Sequence, residues 1–428
     1  MQKNKSFLFK LSSNSLTSQR GITLIELMVA MAVSSVIMLG VSNIYFSSKK
    51  SYVIHDEFAR LQENSRYAFD VLASDIRHAG YKGCAAGNSE ETIENDLNDT
   101  NNATWDFATG VMGYEAAGTD INNADKGVTA YVAAGSSNTG LWSTAKDLQT
   151  SDGNISENPD ATIANLAVAG SDILVLTTTE GTGVLLTDSN NGSANFEAED
   201  IGGTNKLDSN GCINGFCDDD IVMVSDCTKA IIFQITNVST GGGPGTFKIV
   251  HSKKNSIDPG NKSAAWKGEY DFEEGSELMR LITKTYFVGV PNTDASKKDF
   301  HPSLYVRENG GDPIPLIQGV ENMQILYGVD ETGDGAVNRF YSADDVPNVD
   351  ENNLTTFDGV VSIRISLLVR TPEPLPGVSR SQTAANAINY QLISPLENSS
   401  ITIDPIAEND TSDRHMRKVY TFTVARRN

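Results

Sequence analysis

A single carboxylate lies inside the one stretch of the chain that is apolar enough to enter a membrane. From Ile22 to Phe46, 25 residues carry no charged side chain except Glu26. A carboxylate costs roughly 2.5–3.5 kcal/mol in such a segment on insertion scales, so it is expected to be functional and to have a partner. Cleavage after Gly21 would create an α-amino group on Ile22 and make Glu26 the fifth residue of the new chain. The residues therefore predict an ion pair between a chain start and a carboxylate that otherwise has no partner in lipid.

Two simpler interpretations of this segment remain open. It could be a secretory signal, because Ala30-Met31-Ala32 resembles a small-residue cleavage site, although the apolar run continues for 14 residues beyond Ala32. It could also be a plain anchor, since 25 apolar residues are enough to span a bilayer. Four basic residues would then hold the N-terminus in the cytoplasm, the same orientation that a precursor cleaved after Gly21 would have: Lys3, Lys5, Lys10 and Arg20.

The four cysteines all follow the apolar segment, on the side that this orientation places in an oxidising compartment, where disulfides persist. Three pairings are possible. We expect Cys84–Cys227 to tie the end of the N-terminal helix to a β-rich region and Cys212–Cys217 to close a small loop. Zinc is not expected, because the chain has no CxxC pair and its five histidines are scattered.

Residues 330–338 resemble the first nine positions of an EF-hand calcium loop, with Gly335 at the tight turn. The oxygen ligands for Ca²⁺ would come from Asp330, Thr332, Asp334, the Ala336 carbonyl and Asn338. The twelfth position is Tyr341 rather than a bidentate glutamate, and Asp344 or Asp345 could substitute only if the loop curls back. A polar Asp-Gly turn between two strands, without metal, is the other interpretation.

Charge and motifs together argue against catalysis and against nucleic-acid binding. The first 21 residues contain four of the 33 basic residues and no acidic ones, so the processed chain would carry 29 basic and 55 acidic side chains, a formal charge of −26. Such a surface repels phosphate backbones. There is no HExxH, Gly-x-Ser-x-Gly or Walker motif, and the pairs Glu273-Glu274 and Asp344-Asp345 are interpreted as solvated charges. We therefore expect a protein that is not an enzyme and does not bind nucleic acid directly.

A single long helix is predicted to position Glu26. The segment after Phe46 has no proline or glycine up to Ala79, and Gly80 is a good helix stop. A helix from Ile22 to Ala79 would contain about 58 residues and be roughly 87 Å long. Its first half is apolar all round. Its second half is amphipathic, with apolar residues at helical spacing: Phe58, Leu61, Ala68, Phe69, Leu72, Ile76 and Ala79.

The sequence after this helix predicts a large β-rich head. The expected fold class is therefore α+β, with a long N-terminal helix and an antiparallel β-rich globular region. We expect a leader at 1–21, the helix at 22–80, a polar loop-rich variable region at 81–220 and a β-rich C-terminal head at 221–428. Within 81–220, short strands are expected near 127–133, a buried strand at 172–177 and loop at 187–220. Strands in the head are predicted at 221–224, 230–236, 246–251, 280–288, 303–307, 323–329, 360–369 and 418–425.

Several segments carry a family resemblance. The basic leader, Gly21, an apolar residue, Thr23-Leu-Ile-Glu-Leu27 and the apolar run resemble the class III signal of type IV prepilins. Further segments resemble the PilW family of type IV pilus assembly proteins, which are minor pilins: Leu61–Cys84, Asp220–Cys227, Ser303–Arg307, Gln318–Asp330 and Phe422–Asn428. One departure is Ile22, which replaces the usual phenylalanine, so N-methylation of Ile22 is an expectation.

The resemblance implies processing by prepilin peptidase after Gly21 and assembly into the tip or priming complex of a pilus. The implied partners are other minor pilins, the major pilin and a tip-associated adhesin. Before assembly the protein would be a single-pass inner-membrane protein in contact with lipid, with a periplasmic head, and in the filament Glu26 would pair with the N-terminus of an adjacent subunit. A pilus-displayed adhesin and a type II secretion pseudopilin are the alternatives.

Overall fold

A computed structural model of the chain describes residues 21–81, 83, 93–98, 104–105, 107, 110–116, 128–129, 142–144, 159, 161–188, 193–203, 206–253, 257–263, 266, 271–290, 302–347, 357–375, 390–392, 401–404 and 415–426. The fold divides into two compact units, with the boundary between His55 and Asp56.

The helix α1 spans Leu24–His78, 55 residues, which confirms the predicted long helix. Residues up to His55 belong to the first unit, and the large apolar side chains from Ile22 to Phe46 are exposed. The part of α1 in the second unit buries one stripe against the head: Glu57, Leu61, Ser65, Ala68, Leu72, Ala73 and Ile76.

The helix ends at a close approach between two glycines. Gly80 has a φ of +78°, a conformation that favours glycine, and its N–H donates to the Thr177 carbonyl at 2.8 Å. A Cβ on Gly110 would lie 2.2 Å from the Gly80 Cα. This contact fixes the end of α1 on a strand of the head.

After α1 the described chain forms nineteen strands and one short helix, numbered here in chain order. Strands β1 to β10 are Ile93–Asn95, Val111–Ala116, Val128–Thr129, Trp142–Ser143, Ile173–Leu185, Asn195–Glu199, Ile221–Ser225, Ala230–Gln234, Asn237–Thr240 and Thr246–Val250. Strands β11 to β19 are Glu277–Gly289, Ser303–Glu308, Ile314–Gln318, Val320–Val329, Arg339–Tyr341, Val360–Arg370, Tyr390–Leu392, Ile401–Asp404 and Arg417–Ala425. A short helix, α2, spans Ala161–Leu166.

The largest sheet among the described residues has nine strands. Its main path is β1-β8-β7-β11-β5-β2-β4, and β12 and β13 extend it from β11. The long strands β5 and β11 form its centre in antiparallel register, with Tyr286 opposite Leu174 and Thr283 opposite Thr177. Among the described strand pairs of this sheet, β1 and β8 are parallel and the others are antiparallel. Strands from before and after position 220 therefore share one sheet.

Three smaller sheets complete the described part of the fold. A four-stranded antiparallel sheet has the order β15-β14-β16-β19, and two three-stranded sheets have the orders β6-β10-β9 and β17-β18-β3. The main core cluster combines the buried stripe of α1 with the nine-stranded and four-stranded sheets, as shown by Leu72, Phe287 and Ile363, all fully buried. A second core cluster combines aliphatic and aromatic side chains of β6, β9 and β10, such as Phe196 and Phe247, with side chains of β5, β7, β8 and β11.

The carboxyl group of Asp172 joins the two larger sheets. Its Oδ1 accepts the backbone N–H of Ala116 on β2 at 3.0 Å, and its Oδ2 accepts that of Ile325 on β14 at 2.7 Å. The preceding Ser171 exchanges hydrogen bonds with the backbone of Met323. A fully buried acidic side chain thus bridges strands that are far apart in the sequence.

Most predicted strands are present with small shifts at their ends, but the loop predicted for 187–220 was wrong in part. Residues Asn195–Glu199 form β6, in which Phe196 and Ala198 are buried. This short segment has only two alternating apolar residues, and such a short pattern does not predict a strand. The short strands β9, β13 and β15 were missed for a similar reason.

Candidate assembly site at the start of the helix

Thr23 and Glu26 form a capping box at the start of α1. The Glu26 carboxylate oxygen Oε2 accepts the Thr23 backbone N–H at 3.0 Å and the Thr23 hydroxyl at 2.8 Å. The Glu26 N–H in turn donates to Thr23 Oγ1 at 3.4 Å. This reciprocal arrangement satisfies N–H groups that a helix start otherwise leaves without partners. Glu26 therefore has a partner within its own chain, which corrects the expectation of an unpaired carboxylate.

Glu26 uses only one of its two carboxylate oxygens in this cap. Both bonds from Thr23 end on Oε2, and among the described residues Oε1 accepts none. A carboxylate can accept hydrogen bonds on both oxygens. The second oxygen is thus available to a donor from outside the chain without loss of the cap.

The predicted cleavage position lies just before the helix. Gly21, Ile22 and Thr23 are not helical, and the Ile22 side chain is 76 % exposed. A Cβ at Gly21 would meet no atom within 4 Å. The Gly21–Ile22 bond is therefore accessible, as exposed non-helical peptide bonds are to peptidases. Residues 1–20 of the leader lie outside the described residues.

The helix that carries Glu26 presents apolar side chains to its surroundings. Within the described residues, α1 is the one helix long and apolar enough to cross a membrane, and none of its most apolar window is buried in the fold. Examples are Leu24 at 77 % and Phe46 at 67 % exposure. These side chains require an apolar environment, which either a bilayer or neighbouring helices can supply.

The second half of the helix is fixed to the head by a polar contact in addition to its apolar stripe. Asp75 accepts a hydrogen bond from the Tyr286 hydroxyl and pairs with Lys284 Nζ at 3.1 Å. Burial, followed by the nearby Asp75 charge, raises the pKa of Tyr286, so this hydroxyl stays protonated and donates. The sequence did not reveal this contact, because its members lie more than 200 positions apart.

One predicted disulfide is confirmed. Cys212 and Cys217 are bonded, with Cα atoms 4.3 Å apart. Cys227 is disulfide-bonded too. Cys84 lies outside the described residues, so the Cys84–Cys227 pairing stays a prediction.

The predicted calcium loop is closed by its own backbone. Both oxygens of Asp330 accept backbone N–H groups, from Gly333 at 2.7 Å to Oδ1 and from Gly335 at 2.6 Å to Oδ2. These bonds hold the pKa of Asp330 below its usual value. Asn338 Oδ1 accepts the Glu331 N–H at 2.7 Å. The turn therefore has a defined shape without a cation, and in the described part of the chain no group of three or more His, Cys, Asp or Glu side chains could hold a metal.

A long N-terminal helix that is apolar and exposed in its first part, followed by a β-rich head, defines a pilin-like protein. Comparison with known families agrees with that class. Residues 16–42 match the prokaryotic N-terminal methylation motif, and residues 285–428, about a third of the chain, match the type IV pilus-assembly protein W family, PilW. These two matches support a pilin-like protein that is related to type IV pili and similar to the PilW family in its C-terminal third. No curated protein and no solved structure gave a significant match.

Proposed function

We propose that this chain is a minor pilin of the type IV pilus that acts in priming and assembly of the pilus tip complex, without catalytic activity. The observation that carries the proposal is the match of residues 16–42 to the N-terminal methylation motif, in a segment where an accessible Gly21–Ile22 bond precedes a capped apolar helix. Prepilin peptidase cleaves after Gly21, and Ile22 becomes the methylated N-terminus.

The apolar part of the helix explains how such a subunit changes its surroundings. Before assembly it lies in the inner membrane, and the head, with its disulfide, is in the periplasm, an oxidising compartment. On extraction the exposed side chains need a new apolar environment. The corresponding helices of neighbouring pilin subunits supply it, so extraction and helix packing are coupled.

Glu26 sets the register of that packing. Its Oε2 stays on Thr23, and its Oε1 accepts the charged α-amino group of the adjacent subunit. Where the helices are out of register, the carboxylate and the amino group both remain buried without an opposite charge beside them. Leaving one member of a buried ion pair alone costs several kcal/mol, far more than a small error in apolar packing.

The charge and the cap can be separated by mutation. Glu26→Gln keeps a side chain that can form a capping box but removes the charge, whereas Thr23→Val removes the cap hydroxyl and keeps the charge. We expect Glu26→Gln to reduce co-purification with other pilins and incorporation into pili at least about tenfold, while Thr23→Val has a smaller effect. Quantitative immunoblots of sheared pili and of membranes measure both.

The membrane level of each variant is the internal control for this experiment, because assembly is compared at equal amounts of protein. Normal incorporation of Glu26→Gln would contradict the ion pair. A defect of Thr23→Val as large as that of Glu26→Gln would contradict a dominant role of the Glu26 charge in assembly.

A further inference from the structure

The C-terminal strand β19 forms an edge of the four-stranded sheet. It pairs along its length with β16, from Ser362 opposite Ala425 to Arg370 opposite Arg417. Flanking bonds from Arg426 N–H to the Val361 carbonyl and from Thr371 N–H to the Met416 carbonyl fix which residues face β16. Because antiparallel ladders alternate, even-numbered residues of β19 bond to β16 and odd-numbered residues direct their N–H and C=O groups away from it.

Three odd-numbered residues leave an open stretch on this edge: Thr421, Thr423 and Ala425. Their side chains are exposed, and their outward N–H and C=O groups have no partner within the part of the chain that the structure describes. Val419 is different, because it packs with Leu392 of β17. The open stretch thus offers three donors and three acceptors to another strand.

The strand is held rigidly in this position. On the other face of β19, Phe422 packs edge-to-face on Phe69 of α1, with ring centroids 4.7 Å apart, and Val424 is buried in the core. A preformed strand loses little conformational entropy when a partner is added. The edge is therefore prepared for strand addition.

Protein sheets usually protect their edges, and β13 shows how. That edge strand has five residues and contains Pro315, which blocks pairing. β19 has nine residues and its open stretch, with Tyr420 to Ala425, contains no charge and no proline. An exposed edge of this kind is either an aggregation site or a place for a partner strand.

The charges around the open stretch indicate what kind of strand fits. β16 and β19 contain no Asp or Glu, although the chain as a whole has 55 acidic and 33 basic residues. Arg364 on β16 donates to the Thr423 hydroxyl at 3.1 Å and Lys418 is exposed at the start of the strand. Arg417 and Arg370 are engaged by Glu321. The edge is locally basic on an acidic protein.

We propose that the β19 edge binds an extended acidic segment of another protein by β-strand addition. The segment pairs with Thr421, Thr423 and Ala425 through its backbone and places carboxylates near Arg364 and Lys418. A second copy of this chain fits less well, since it would bring together two basic edges on two bodies of the same net charge. The inference rests on the head alone and holds whether or not the leader is processed.

Two synthetic peptides test the proposal on the full chain in detergent micelles. Both have an alternating Thr-Val centre, one flanked by Asp and the other by Lys. Fluorescence anisotropy is expected to show binding of the acidic peptide to the wild type and to Thr423→Val, which keeps the outward N–H. Thr423→Pro removes that N–H and should weaken binding at least about tenfold, or about 1.4 kcal/mol.

Two further measurements make every outcome decisive. Ala425→Pro changes an outward N–H at a residue without a side-chain hydrogen bond, so it replaces Thr423→Pro if that variant fails to fold. Hydrogen exchange at Thr421, Thr423 and Ala425 should slow when the acidic peptide is added. The proposal is overturned by equal binding of the proline variants, by equal binding of the Lys peptide, by no binding of either peptide, or by a dimer of the chain that the proline variants abolish.

Discussion

The Thr23 hydroxyl and the Glu26 carboxylate are 2.8 Å apart, and they close the first turn of a helix whose neighbouring side chains are all apolar. A cap of this kind typically stabilises a helix by about 1 kcal/mol. It also holds the carboxylate at the very end of the helix, close to Ile22, which the proposed cleavage would make the first residue of the chain. One side chain can thus serve its own helix with Oε2 and a neighbouring subunit with Oε1.

The sequence predicted Gly21, Ile22 and Glu26 as site residues, because a charge in an apolar segment and a cleavage signal just before it can both be read from the sequence. The cap was also readable, since Thr-x-x-Glu before an apolar run is its signature. Asp172 was not, because nothing in its sequence neighbourhood shows that it lies between two sheets. Its role depends on Ala116 and Ile325, which only the fold brings to it.

Asp172 predicts a stability that falls as pH rises. Burial raises its pKa to about 8, against the two backbone bonds that lower it, and Asp344 raises it further. Glu115 and the Tyr327 hydroxyl also face this region. Because the folded pKa lies above the unfolded one, the stabilisation is full below pH about 4 and is lost as pH rises through about 8. Thermal unfolding should show a lower melting temperature at pH 9 than at pH 6.

Asp172→Asn tests the same group. The amide cannot accept a backbone N–H on its nitrogen, so the variant should lose about 1–3 kcal/mol at pH 5, and its difference from the wild type should shrink towards pH 9. Asp345→Asn, at an exposed position, is the control and should change little at either pH. A constant difference across this range would rule out Asp172 as the titrating group.

Calcium binding to the 330–338 loop stays a prediction, which calorimetry on the full chain decides. If the loop holds Ca²⁺, Asp334→Ala should abolish a binding heat that Asp312→Ala, at an exposed position outside the loop, leaves unchanged. The carboxylate of Asp330 would then have to share oxygens that already accept backbone N–H groups. Absence of heat at millimolar calcium would leave the loop as a polar turn shaped by those bonds alone.

The helix α1 has two parts that differ in burial: the second packs in the core of the head, and the first is exposed. Leu72 is fully buried in the main core cluster, whereas Leu39 is 66 % exposed. Leu72→Ala should lower the free energy of unfolding of the head by about 2–5 kcal/mol, and Leu39→Ala should leave it unchanged. Chemical denaturation in detergent, followed by tryptophan fluorescence, measures both. Equal losses of unfolding free energy in the two variants would contradict the conclusion that only the second part of α1 stabilises the head.

Strands with a long apolar or alternating pattern were predictable from the sequence, and β5, β11, β14 and β16 were all found. The ends of the strands were harder to predict. The strand predicted at 172–177 is β5, which continues to Leu185. Its second half was missed because Thr178 to Gly183 carry no apolar pattern. The fully buried β2 was missed for another reason. It contains Gly113 and Glu115, which hide its burial from any reading based on hydropathy.

At the scale of the whole molecule, the non-local pairing could not be predicted. The polar region 81–220 contributes β2, β4 and β5 to the same sheet as β7, β8 and β11. The sequence changes from polar to β-rich near residue 220, and this suggested a boundary. In the structure Leu176 pairs with Val111 on one side and with Lys284 on the other, so strands from both regions are neighbours. Register between strands so far apart depends on the assembled core rather than on local preference.

The most direct test of the proposed function is the N-terminus of the protein recovered from membranes. N-terminal sequencing and intact mass should show a chain beginning at Ile22, with one added methyl group, only in cells that contain prepilin peptidase. Gly21→Val should remain uncleaved and keep its fold, since a Cβ at this position meets no atom within 4 Å. A chain that begins after Ala32, or that keeps Met1 in the presence of the peptidase, would contradict processing and with it assembly through Glu26.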